Sequence, residues 1–118
     1  MSNANVSKYK LAISDTTIVK VNVTLKDGTG RDNQYKFDLV CKRKGADELK
    51  SQLDSGESVK EIMREVTQGW RGQRLVLESD DAPAEFSADA FDAMLDIAAM
   101  PTVLFNFYFK QSSANEKN

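Results

Sequence analysis

Histidine is absent from this chain of 118 residues. Histidine is the commonest general base and a frequent zinc ligand, so its absence excludes Ser-His and Cys-His nucleophile pairs and histidine-bound zinc. A phosphate-binding loop is not indicated either, because Gly28 and Gly30 lie between two predicted strands and no Gly-Lys-Ser/Thr sequence follows them. We therefore expect a protein that is not an enzyme and that binds no cofactor.

Cysteine occurs once, at position 41, so no disulfide can form within the chain. Cys41 falls on the apolar side of a predicted strand, which indicates a structural role. No apolar run approaches the roughly 20 residues that a membrane-spanning helix needs, and no charged-then-apolar signal segment opens the chain. These features predict a reducing, cytoplasmic setting and no membrane partner.

Lysine and arginine are absent between residues 75 and 109. This stretch holds seven of the 18 acidic residues, so the other 11 share the rest of the chain with all 16 basic residues. This acidic stretch is either an ordinary solvated face or a surface that steers association with an unlike surface, including that of a second copy. The negative charge argues against this part of the chain lying on nucleic-acid phosphates, and we expect no nucleic-acid partner. The seven acids are Glu78, Asp80, Asp81, Glu85, Asp89, Asp92 and Asp96.

Two local charge clusters have simple interpretations. The basic cluster Lys42-Arg43-Lys44 ends a predicted strand and is interpreted as solvated charge, with contact to a nucleic acid as the alternative. The acidic turn around Asp80 and Asp81 is dense enough to consider for Mg²⁺ or Ca²⁺. It lacks the Asp-x-Asp-x-Asp-Gly order and the distal Glu of a calcium loop, so we expect no metal site.

The N-terminal third predicts a β-hairpin, because two segments alternate apolar and polar residues. Asp27-Gly28 and Gly30 between them supply the positive backbone dihedrals of a turn. The apolar positions are Val19, Val21, Val23 and Leu25 in the first segment, and Tyr35, Phe37, Leu39 and Cys41 in the second.

After Gly45 the apolar spacing becomes helical. A short helix is predicted up to Ser55-Gly56, and Ser58 with Glu61 forms a capping box that starts a second helix. That second helix is expected to place an apolar stripe in the core. The stripe consists of Val59, Ile62, Met63, Val66 and Trp70.

The C-terminal half contains a third strand candidate at 75–77, which could pair with the hairpin, and then a helix that Ser87 caps. Pro101 is acceptable at the start of another helix, but 102–110 also alternates as a strand would. The whole pattern predicts an α+β fold, with a small antiparallel sheet built on the N-terminal hairpin and packed against three to four short helices. We assign 1–8 as disordered or tag-derived, 9–111 as one domain and 112–118 as a flexible tail.

The order of features from Gly69 to Lys110 resembles the C-terminal half of tail assembly chaperones from long-tailed, lambdoid (siphovirus-type) bacteriophages. The shared features are Trp70, the acidic turn, the Phe86-Ser87 helix start and the segment that begins at Pro101. The resemblance favours a helix over 102–110. It covers roughly a third of the chain and does not extend to the hairpin.

This resemblance implies a non-catalytic chaperone in the cytoplasm of the bacterial host, absent from the mature virion. Its partners would be the phage tape-measure protein and the tail tube protein. The family often has a longer form made by ribosomal frameshifting, and Glu116-Lys117-Asn118 can be encoded by an adenine run that permits slippage. The alternative is a structural tail or head-tail joining protein that pairs its hairpin strands in a ring.

Four aromatic residues are candidates for partner binding: Trp70, Phe105, Tyr108 and Phe109. Tryptophan is favoured at the energetic centres of interfaces. A helix over 102–110 would be apolar nearly all round, so aromatic side chains could remain on its outer face. The alternative for all four is packing within the domain. Self-association through leftover aromatics and the uneven charge is also consistent with the sequence.

Overall fold

The computed structural model describes residues 9–116. Within that range the chain forms one three-stranded antiparallel sheet in the order β1-β2-β3, and four helices pack on one of its faces. The predicted α+β fold with an N-terminal hairpin is confirmed. The prediction for 1–8 lies outside the described residues. The elements are β1 (Thr16–Lys26), β2 (Asp32–Lys42), α1 (Ala46–Asp54), α2 (Val59–Val66), β3 (Thr67–Arg71), α3 (Ala88–Leu95) and α4 (Met100–Ser112).

The hairpin pairs β1 with β2 over their full lengths, with Val19 opposite Leu39. The turn between them is organised by Asp27, whose Oδ1 accepts hydrogen bonds from the main-chain N–H groups of Thr29 (2.8 Å) and Arg31 (3.0 Å). Alternation buries one face of the hairpin and leaves the other in solvent. The buried positions are Val19, Val21, Val23, Phe37, Leu39 and Cys41.

The third strand is not the predicted segment 75–77. Strand β3 comes directly after α2, and its Trp70 lies opposite Leu39 of β2. The prediction that α2 continues to Trp70 is therefore wrong, because the helix ends at Val66 and the chain extends to pair with β2. Residues 75–77 form a loop instead, in which Leu77 makes one isolated bridge to Pro83.

Predicted serine caps start two of the helices. The side chain of Ser58 accepts a hydrogen bond from Glu61 N (3.2 Å) at the start of α2, and that of Ser87 accepts one from Ala90 N (3.0 Å) at the start of α3. Each bond satisfies one of the free N–H groups at a helix start. The apolar sides of α2, α3 and α4 meet over the sheet and form the core. Its fully buried helical side chains are Ile62, Met63, Val66, Met94, Leu104 and Tyr108.

Residues 102–110 are helical, as the resemblance predicted. Pro101 lies in the first turn of α4, where its missing N–H removes no helical hydrogen bond. The helix runs to Ser112, the first residue of the predicted tail. Among residues 9–116 no single helix is long and apolar enough to cross a membrane; α3 and α4 reach that length and hydropathy only together, and their axes are bent by 106°.

Candidate protein-interaction surface

The outer side of α4 carries a stacked aromatic pair. Phe105 and Phe109 are one helical turn apart, with ring centroids 6.1 Å apart and ring planes 20° apart. Phe109 is 50% exposed, whereas Phe105 is half-buried. The only charged residue of this helix, Lys110, lies in its last turn. The pair therefore forms an apolar surface, which we call the α4 aromatic pair.

Tyr108 does not belong to this surface, so its prediction as a partner-binding residue is wrong for the folded chain. Its side chain is completely buried, and its hydroxyl donates a hydrogen bond to the carbonyl oxygen of Lys42 at 2.8 Å. Burial is the main reason that the pKa of the Tyr108 phenol lies above its usual value. The residue anchors α4 to the end of β2 and cannot contact a partner without unfolding.

Trp70 lies on the helix-covered face of β3 and is half-buried. Its ring is perpendicular to that of Phe86 at 5.3 Å and lies 6.3 Å from that of Phe91. Its Nε1–H donates a hydrogen bond to the carbonyl oxygen of Ala84 at 3.1 Å. The indole thus joins the sheet to the loop before α3, and contact with a partner is confined to its exposed part.

Gln73 organises this loop, a role that was not predicted from the sequence. The residue is only 2% exposed. Its Oε1 accepts hydrogen bonds from Leu75 N (3.0 Å) and Val76 N (2.8 Å), while its Nε2 donates to Val76 O (2.9 Å) and Ala84 O (3.1 Å). One side chain therefore satisfies main-chain groups on both sides of the acidic turn. A single glutamine in a mixed segment gives no pattern from which this role could be read.

The acidic turn has a local structural explanation. Glu78 N donates to Ala82 O at 2.7 Å, and the Oδ1 atom of Asp80 accepts from Ala82 N at 3.1 Å. Asp81 has a φ of 69°, a left-handed conformation that aspartate tolerates better than most residues. Within residues 9–116 no group of three or more acidic or cysteine side chains is arranged to hold a metal ion.

A depression of about 450 Å³ lies between α2 and α3. Phe86 and Phe91 contribute its apolar lining, and Glu61 and Asp92 its charge. Arg64 crosses this depression, with its Nε 2.9 Å from Asp92 and its Nη1 3.6 Å from Glu61. The acidic side of α3 is therefore partly neutralised by α2, and Asp89 and Asp96 remain exposed.

The basic cluster is not simply solvated. Arg43 donates from Nη1 to Ser112 O at 2.8 Å, which fastens the end of α4 to the end of β2. The Lys44 side chain is 1% exposed, and its Nζ lies 3.0 Å from Glu48 and 2.7 Å from Glu65. Two of the three bases are thus used to hold helices against the sheet.

Cys41 is buried, and desolvation raises the pKa of its thiol from 9.0 to about 11. Because this pKa is raised on folding, the fold favours the neutral thiol; that contribution to stability is complete below pH 9.0 and is lost as pH rises toward 11.

We expect a thiol reagent at pH 8 to label the folded chain at least ~100-fold more slowly than the urea-unfolded chain, since only the thiolate reacts. Equal labelling rates would show that Cys41 is accessible.

No family model, no curated protein and no solved structure matches this chain.

Proposed function

We propose that this protein is a tail assembly chaperone of a long-tailed bacteriophage. It binds the tape-measure protein in the host cytoplasm, keeps that protein soluble and helps tail tube subunits gather around it. It performs no catalysis and leaves before the virion is complete. The order of features from Gly69 to Lys110 supports the assignment by resemblance.

The observation that carries the proposal is the α4 aromatic pair. A folded domain normally covers its large aromatic side chains, and Phe109 is 50% exposed although α4 also has a fully buried side. Two stacked rings one turn apart present a flat apolar surface that matches an apolar stripe on a client helix. The exposed acids Asp89 of α3 and Asp96, the residue that follows α3, keep the chaperone and its complex soluble.

The binding test uses the full chain and the tape-measure protein of the same phage. We expect the double substitution Phe105→Ser and Phe109→Ser to weaken binding about 10- to 100-fold, because truncation at the centre of an interface costs on the order of 1–3 kcal/mol. Affinity is measured by titration calorimetry or by pull-down across a concentration series.

Leu53→Ser is the matched control. Leu53 is 44% exposed on α1, so its substitution removes exposed apolar surface from a different helix. The control variant is expected to bind as the wild-type chain does. Equal binding by the double variant, or no binding by the wild-type chain, would contradict the proposal.

The phage genome and the purified virions provide a second test. A shifted reading frame at the end of this gene, followed by a very long gene for a helical protein, is expected for a chaperone. Purified virions are expected to lack the chain. Recovery of a stable ring of this protein from purified virions would instead favour the structural tail component.

A further inference from the structure

Strand β3 pairs with only the C-terminal half of β2. The register between the two strands ends where Arg71 lies opposite Asp38. Strand β2 begins well before this point, at Asp32, and its first half pairs with β1 alone. One edge of β2 is therefore left uncovered between Asp32 and Asp38, although β2 is the central strand of the sheet.

The main-chain groups along this uncovered edge point outward. Lys20 of β1 turns its N–H and C=O away from β2, because both bond to the side chain of Gln111. Residues directly opposite each other in an antiparallel pair share this character, so Asp38, opposite Lys20, turns its own groups toward β3. Gln34 and Lys36 follow the same two-residue alternation. Nothing in the described part of the chain bonds to the main-chain N–H or C=O of either residue.

The loop that follows β3 does not cover this edge. Gly72 has a φ of 74°, a left-handed conformation that turns the chain at the end of β3. Gln73 Oε1 then accepts from the N–H groups of Leu75 and Val76, which could otherwise pair with β2. The carbonyl oxygen of Val76 accepts from Gln73 Nε2 and from Ala84 N. Because the loop bonds within itself, the outward groups of β2 remain open to another chain.

A depression of about 300 Å³ lies between this edge and the loop, and we call it the β2 notch. Tyr35 is half-buried and Leu77 is 45% exposed, so both can lose further contact with water when a chain enters. The β2 notch thus offers main-chain partners and apolar contacts at the same place. Its lining consists of Gln34, Tyr35, Lys36, Gly72, Arg74 and Leu77.

The charge of the β2 notch is positive. Lys36 and Arg74 are both exposed, and neither forms an ion pair within the described part of the chain. A second depression, on the face of the sheet away from the helices, shares Lys36 with the notch and adds Lys20 and Arg71. Among the described residues that line it, the one acid is Asp38, which lies 4.0 Å from Lys20 Nζ. This surface therefore attracts acidic segments.

This chain does not supply a matching strand from a second copy. Its acidic segment from Glu78 to Glu85 forms a hydrogen-bonded turn, and Asp89 belongs to α3. Residues 113–118 contain one acid and one base, and the segment before β1 carries Lys10, which the bases of the notch would repel. The extended acidic segment that fits the notch therefore belongs to a different protein.

We propose that the β2 notch binds an extended acidic segment of a partner protein as an added strand. The segment exchanges main-chain hydrogen bonds with Gln34 and Lys36. Its side chains opposite these two residues share their face of the sheet, so acidic side chains there meet Lys36. The side chain between them points to the other face and packs on Tyr35 and Leu77. The notch thus selects alternate acidic and apolar residues. This contact does not depend on client binding by the α4 aromatic pair.

Synthetic peptides and the full chain test the proposal. The probe is a fluorescein-labelled peptide, Ser-Asp-Val-Asp-Val-Asp-Ser, for which fluorescence anisotropy is expected to show saturable binding. The peptide Ser-Lys-Val-Lys-Val-Lys-Ser keeps the β-propensity but reverses the charge, and it is expected not to bind. The acidic peptide with N-methylated aspartates keeps the charge but loses main-chain donors, so it is expected to bind at least ~10-fold more weakly.

Charge reversal at the notch is the matched test on the protein. Lys36→Glu is expected to weaken binding of the acidic peptide about 5- to 10-fold, because an attraction becomes a repulsion. Lys60→Glu makes the same change of net charge at an exposed position of α2, outside the notch, and is expected to bind as the wild type does. Circular dichroism checks that both variants fold. A wild-type chain that does not bind the acidic peptide would overturn the proposal, and so would equal binding of the N-methylated peptide or equal weakening by both variants.

Amide hydrogen exchange on the wild-type chain locates the added strand. Exchange at Gln34 and Lys36 is expected to slow at least ~5-fold at saturating acidic peptide. Asn22 and Thr24 are internal controls, because they lie directly opposite these residues and turn their main-chain groups to the other edge of the sheet. Slowing at Asn22 and Thr24 instead would place the peptide on β1 and contradict the proposal. Exchange that the peptide leaves unchanged at Gln34 and Lys36 contradicts it as well.

Discussion

Tyr108→Ala is expected to lower the free energy of unfolding by about 3–5 kcal/mol, the range for removal of a buried aromatic side chain. Tyr108 is completely buried, and its hydroxyl donates to the carbonyl oxygen of Lys42. The substitution leaves a cavity under α4 and removes the bond that ties the helix to β2. Urea denaturation followed by circular dichroism measures the loss.

Two further substitutions separate the roles of the α4 side chains. Tyr108→Phe keeps the ring and is expected to cost only about 0.5–1.5 kcal/mol, the contribution of one hydrogen bond. Phe109→Ala is expected to cost less than about 1 kcal/mol, because half of that side chain is already in water. If Phe109→Ala destabilised the chain as much as Tyr108→Ala does, the inner and outer sides of α4 would be wrongly assigned.

Gln73→Met is expected to lower the free energy of unfolding by roughly 2–4 kcal/mol. Methionine has a similar length but cannot replace the two hydrogen bonds that Oε1 accepts from Leu75 N and Val76 N. Leaving a buried donor without a partner costs on the order of 1–3 kcal/mol. Chemical denaturation of both chains gives the difference.

Gln68→Met is the matched control for this substitution. Gln68 is exposed on β3, and surface substitutions usually change stability by less than about 0.5 kcal/mol. Comparable losses at positions 68 and 73 would show that the hydrogen bonds of Gln73 do not hold the loop.

The hairpin and the helix starts could be predicted because their signals are local. Alternation with a two-residue period specified the buried face of β1 and β2, and Ser58 and Ser87 marked two helix starts. The third strand could not be predicted in this way. Trp70 follows Val66 at helical spacing, so the apolar pattern runs across the end of α2 without a change. Pairing with β2, a contact distant in sequence, decides the conformation there.

The aromatic residues of α4 could be predicted as a group of candidates, but not which of them lie on the surface. Phe105, Tyr108 and Phe109 belong to a helix that is apolar on most sides, so apolar spacing alone does not assign one of them to the core. The phenol of Tyr108 is buried because it reaches the carbonyl oxygen of Lys42, which no sequence pattern encodes. Gln73 was missed for the same reason, since its partners are main-chain groups of its own loop.

The carbonyl oxygen of Ala84 accepts hydrogen bonds from both Trp70 Nε1 and Gln73 Nε2. Trp70 is the only tryptophan of the chain. Detachment of the loop that carries the acidic turn therefore breaks the hydrogen bond of the indole N–H and changes the polarity of the surroundings of the indole. The protein thus contains an intrinsic fluorophore at the joint between its sheet and that loop, and emission from the unlabelled chain reports whether the joint is closed.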